Sequence, residues 1–145
     1  MGTWDIGPFD NDTAADFGDD LDDAVMDERE PKIRSVLKRA ANPAGLLTAP
    51  DAERAVAAAS LVVAQHPGGQ PACTDYGPSE PLPEFPTDLR TLAVDALDQV
   101  LAVSSELAEL WDEAANGSKW RHDITRLRNV LAPPVLRQEE PLFEI

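Results

Sequence analysis

The sequence predicts an all-α fold: a compact bundle of five to six helices with an irregular N-terminal arm and a Pro-rich loop. Three observations lead there. Apolar residues recur at helical spacing in several separate segments. No run alternates apolar and polar residues over the length of a strand. Capping residues and helix breakers punctuate the chain at intervals that suit helices. The 145 residues fit one domain, 1–145, large enough to bury a core without crosslinks. Within it, residues 1–10 read as an arm packed on the bundle, 67–86 as a Pro/Gly-rich loop and 135–145 as a C-terminal tail.

The arm sets Trp4, Ile6 and Phe9 among Gly2, Gly7 and Pro8. That pattern is irregular but apolar, so it should lie across the domain. Asn11 or Asp12 can cap a first helix, with Ala14, Phe17, Leu21, Ala24 and Val25 on its buried face. Pro31 suits the first turn of a second helix. There Ile33, Val36, Leu37 and Ala40 face inward and Lys32, Arg34, Lys38 and Arg39 outward, until Asn42, Pro43 and Gly45 end it. Thr48-Ala49-Pro50-Asp51 resembles a capping box with Asp for Glu. The third helix should run to about Gln65, apolar all round from Ala55 to Ala64 and therefore central.

Residues 67–86 hold six prolines and three glycines, which predicts a loop without regular structure. Thr87 can cap a fourth helix with the strongest apolar stripe of the chain: Leu89, Leu92, Ala93, Ala96, Leu97, Val100 and Leu101. Ser104-Ser105 can cap a fifth, with Leu107, Leu110 and Trp111 inward, and Asn116-Gly117 should stop it. The last helix starts at Ser118, buries Trp120, Ile124, Leu127 and Leu131, and ends at Pro133-Pro134.

Composition narrows the function. A net charge of −15 disfavours nucleic acid and anionic membranes as partners and favours a basic protein or a cation. The longest apolar stretch, Ala55 to Ala64, is half the roughly 20 residues that a membrane span needs. The opening residues lack the basic flank and apolar core of a secretion signal. Cys73 is the single cysteine and has no intramolecular disulfide partner, which suits a reducing, cytoplasmic setting. Charge is also sorted along the chain. Residues 1–30 are net −10, and 31–41 carry four bases and no acid. Residues 87–117 are net −6, and 118–132 net +3. Each basic segment follows an acidic one. With short connections and antiparallel neighbours, helix two should set its bases against the acids of helix one. Likewise Arg121, Arg126 or Arg128 should lie near Glu106, Glu109 or Glu113.

Met1-Gly2-Thr3-Trp4-Asp5-Ile6-Gly7-Pro8-Phe9-Asp10-Asn11-Asp12-Thr13-Ala14-Ala15-Asp16-Phe17 closely resembles the opening of a bacterial family of domains of unknown function, DUF4259. The resemblance continues through Ala49-Pro50-Asp51-Ala52 and Leu107-Ala108-Glu109-Leu110-Trp111 to about Leu131, roughly nine-tenths of the chain. Asp5 stands where the family often has Gly. The resemblance implies a cytosolic domain with no established activity, and it transfers no catalytic residues.

The sharpest chemical feature is a ladder of carboxylates, Asp12, Asp16, Asp20, Asp23 and Asp27, spaced by three or four residues. Like charges at that spacing destabilise a helix by a few tenths of a kcal/mol per pair, so something offsets them. The basic second helix and solvent are the simpler answer, and a cation or basic partner is the functional one. The candidate binding residues are Trp4, Asp5, Asp10, Asp12, Asp16, Asp20 and Asp23. Expected is a non-catalytic acidic interaction module with no cofactor, a basic protein as partner, and oligomeric state open. The alternative is a magnesium-dependent hydrolase of nucleotides or diphosphates. Its ligands would be Asp16 and Asp20 facing Glu106 and Glu109, the latter pair part of a Glu106, Glu109, Asp112 stripe.

Other patterns are weaker. Asp19-Asp20-Leu21-Asp22-Asp23 fits a diphosphate-binding Asp-Asp-x-x-Asp, but no second motif faces it clearly. His122-Asp123 lacks the further histidines that a metal phosphohydrolase needs. Asp10-Asn11-Asp12 lacks the glycine of a calcium loop. Cys73 has no cationic neighbour in sequence to activate it. Pro78-Ser79-Glu80-Pro81 and Pro83-Glu84-Phe85-Pro86 read as a rigid spacer before they read as groove ligands. Trp4, Trp111 and Trp120 read as core anchors.

Overall fold

A computed structural model describes residues 11–66, 82–102 and 105–132. The predicted arm and tail, and residues 67–81 of the predicted loop, lie outside them. Six helices are described: α1 (Asp12–Asp23), α2 (Met26–Ala41), α3 (Ala49–Gln65), α4 (Asp88–Val100), α5 (Glu106–Asp112) and α6 (Gly117–Leu131). The fold is an all-α bundle. An isolated β-bridge joins Leu47 and Ser105.

α3 is the centre. Its residues from Ala55 through Val63 are all buried, and α1, α2, α4, α5 and α6 all pack on it. Its alanines let the neighbouring helices come close, and the larger α4 residues Leu89, Leu97 and Val100 fill the space against α2 and α3. The predicted stripes of α2, α4 and α6 are the buried ones. Three caps also form as read. Asn11 Oδ1 accepts from the Ala14 amide at 2.8 Å, Thr48 Oγ1 from Asp51 at 3.4 Å, and Ser105 Oγ from Ala108 at 3.3 Å.

The structure corrects the reading at several element ends. α1 stops at Asp23; Ala24 and Val25 are extended, and Val25 is 64% exposed rather than buried. Asp27 therefore leaves the α1 ladder and sits in the first turn of α2, where the helix dipole favours an acid. Pro31 lies inside α2, not in its first turn. It removes the bond that its amide would give the Asp27 carbonyl, on a face where both residues are exposed and water can substitute. Thr87 makes no side-chain cap and is already in helical conformation.

Leu110 is 40% exposed, because the short α5 turns only Leu107 and Ala108 fully inward. Gly117 opens α6 instead of closing α5. Its φ is ordinary, but a Cβ there would strike the Trp111 carbonyl, so the tight α5–α6 corner requires glycine for space. That corner stacks Trp111 on Trp120 with centroids 5.7 Å apart. The described end of the Pro-rich segment, 82–86, has no regular structure. The Gln65 carboxamide holds it, donating to the Pro83 carbonyl at 2.9 Å and accepting from the Phe85 amide at 3.0 Å.

Candidate functional site

The acidic ladder is built by the periodicity of α1. At 100° per residue, Asp12, Asp16, Asp19, Asp20 and Asp23 fall within about 100° of the helix circumference. Ala14, Phe17, Gly18 and Leu21 occupy the opposite side and are buried. All five carboxylates are exposed. Trp4, Asp5 and Asp10 lie outside the described residues.

The bases of α2 do not answer this ladder as predicted. Arg34 turns to α4, with Nη1 2.7 Å from Asp88 Oδ2, and also pairs with Glu30 on its own helix. Arg39 turns to Asp51 of α3 at 3.8 Å. The physical reason is the packing: α2 lies chiefly against α4 and α3, while α1 lies against α3. Among the described residues no ion pair joins Asp12, Asp16, Asp19, Asp20 or Asp23 to a base.

The contact that does bind α2 to α1 comes from Arg29, the lone base of the acidic N-terminal run. Its Nε donates to the Leu21 carbonyl at 2.9 Å and the Ala24 carbonyl at 3.1 Å, and the side chain is buried. Arg29 thus meets the Ala24 carbonyl and joins the Ala24 amide on the Leu21 carbonyl at the C-terminus of α1, where the dipole also favours a cation. A single base placed just after a helix end was the signal available in the sequence; its position inside an acidic run hid it.

At the other acidic–basic junction the helices do pair, though with different partners from those expected. Arg121 of α6 forms a two-pronged bridge to Asp112 of α5, at 2.7 and 2.9 Å. Arg128 reaches Asp98 of α4 at 2.9 Å, and Arg126 pairs with Asp123 of its own helix. The Arg34 and Arg121 hydrogen bonds hold the carboxyls of Asp88 and Asp112 below the usual carboxylate range and raise the two guanidinium values.

Of the expected magnesium ligands, Glu106 is engaged within the fold. Glu106 Oε1 accepts from the Ala49 amide at 2.7 Å, and its own amide donates to the Leu47 carbonyl at 2.9 Å, so it ties α5 to the start of α3. Asp112, of the same predicted stripe, is bound by Arg121, and Glu109 is exposed. Among the described residues no group of three or more His, Cys, Asp and Glu could hold a metal ion. No described helix is long and apolar enough to cross a membrane.

The class these features define is an all-α bundle with a one-sided acidic helix. The family model for DUF4259, a domain of unknown function, matches residues 2–123, and the chain belongs to that family. The match ends within α6, short of the Leu131 boundary expected. No curated protein and no solved structure matched the chain.

Proposed function

We propose that this domain is a non-catalytic interaction module whose α1 surface engages a basic protein. One observation carries the reading: the five outward carboxylates of α1 have no basic partner among the described residues, because α2 lies against α4 and α3 and its Arg34 and Arg39 reach Asp88 and Asp51. A helix that keeps mutually repelling charges exposed gives up stability, and a cationic partner would offset that repulsion on binding. Asp12, Asp16, Asp20 and Asp23 are the contact residues, and neither nucleic acid nor an anionic membrane is a ligand. The setting is cytoplasmic.

The experiment is capture from native lysate at low and high salt, with wild type beside Asp12→Asn/Asp16→Asn/Asp20→Asn/Asp23→Asn. A stoichiometric partner should be recovered by wild type, released by salt and lost with the variant. Recovery of no salt-sensitive partner would sink the reading.

A further inference from the structure

Resting on that reading, we propose that Val25 and Met26 are the apolar anchor of the acidic surface. Its partner is then a basic amphipathic protein segment that seats an aliphatic side chain there between flanking lysines or arginines. Val25 is 64% exposed and Met26 41%, whereas Phe17, Leu21, Ile33 and Leu37 of the same two helices are buried.

The exposure is held in place by specific bonds. Ala24 and Val25 are both extended, with φ/ψ of −82°/151° and −69°/156°. Buried Arg29 grips the Leu21 and Ala24 carbonyls, and the Glu28 amide donates to the Val25 carbonyl at 2.9 Å. The two side chains therefore project from a fixed corner, which lowers the ordering cost of binding. Met26 adds an unbranched, polarizable side chain that adapts to different aliphatic shapes.

The surroundings select the occupant. Residues 19–28 carry six acids and no base, and the charge of Arg29 is turned inward onto carbonyls. An occupant of the Val25–Met26 corner must bring cations to meet Asp23, Asp27 and Glu28. Anionic lipid and nucleic acid would be repelled. A second copy across a two-fold axis would set the same carboxylates against each other. A basic segment with an aliphatic stripe satisfies both the charge and the apolar pair.

The test uses two synthetic helical peptides of equal positive charge. One carries lysines around a leucine stripe, and the other has each leucine replaced by glutamine. Both are titrated into the full chain by calorimetry at low salt, with backbone amide shifts followed by NMR. The leucine peptide should bind at least about tenfold more tightly and shift the amides of residues 19–28. Val25→Ser/Met26→Ser, two surface changes whose folding is checked by thermal melting, should bring its affinity down to that of the glutamine peptide. The glutamine peptide's own affinity should not change. Equal affinity for the two peptides, or a double variant that binds the leucine peptide like wild type, overturns the anchor and leaves the acidic surface standing. Binding of neither peptide removes both.

Discussion

The α1–α2 and α5–α6 pairs start from the same sequence pattern, an acidic segment followed by a basic one, and are joined by different chemistry. At α5–α6 the charges meet side chain to side chain, Arg121 on Asp112, beside the stacked Trp111 and Trp120. At α1–α2 the joining base is buried and its partners include backbone carbonyls, while Asp12, Asp16, Asp19, Asp20 and Asp23 of α1 are exposed. The difference teaches that sorted charge does not by itself choose neighbours. A buried guanidinium on helix-end carbonyls holds one corner, and an exposed ion pair decorates the other.

The largest effect expected from that contrast is at Arg29. Arg29→Ala takes the donor from the part-buried Ala24 carbonyl and leaves the Leu21 carbonyl with the Ala24 amide alone, and it should destabilise the fold by about 2 kcal/mol in urea unfolding. Arg29→Lys should recover only part of this, because an ammonium lacks the planar fork. Arg121→Ala, with its side chain 36% exposed in the wild type, should cost about 0–1 kcal/mol. Equal losses at the two sites would break the comparison.

A smaller effect separates the pairs by pH. The Asp112 carboxyl lies below its ordinary value because Arg121 donates to it. A folded-state value below the unfolded one, about 3.9, gives stability that is full above the unfolded value. That stability is lost as pH falls through the lowered folded value. The melting temperature of Asp112→Asn should therefore sit below wild type by a constant margin from neutral pH to about pH 5, and the two curves should converge below about pH 4. A margin that persists in strong acid would mean that Asp112 acts through packing rather than charge.

Residue pattern made most of the fold legible. The buried stripes of α2, α4 and α6 and the caps at Asn11, Thr48 and Ser105 follow from local spacing and side-chain chemistry, which the chain states directly. Neighbour relations were not legible, because α2 leaves α1 for α4 and α3 through packing of apolar faces that charge does not report. The same limit hid Glu106, a surface carboxylate by pattern that becomes the acceptor for the Ala49 amide only when α5 meets α3. Of the candidate surface, the exposure of Asp12, Asp16, Asp20 and Asp23 could be read from periodicity. The protruding Val25 could not, since it continues the apolar spacing of α1 and is turned out only by the break at Ala24.

The smallest effect bears most directly on function. If the α1 carboxylates are present for a partner, then removing two of them should make the isolated domain slightly more stable. Asp16→Asn/Asp20→Asn relieves the repulsions of Asp16 with Asp12, Asp19 and Asp20 and of Asp20 with Asp23, each about 0.2–0.5 kcal/mol, while Asn and Asp have similar helix propensities. Urea unfolding at low ionic strength should show the gain, and about 0.5 M salt should erase it by screening. The same variant should lose salt-sensitive capture of the partner, so stability and binding would move in opposite directions. A variant that is less stable at low salt would assign these carboxylates to the fold, make α1–α2 resemble α5–α6, and remove the reason to seek a partner at this surface.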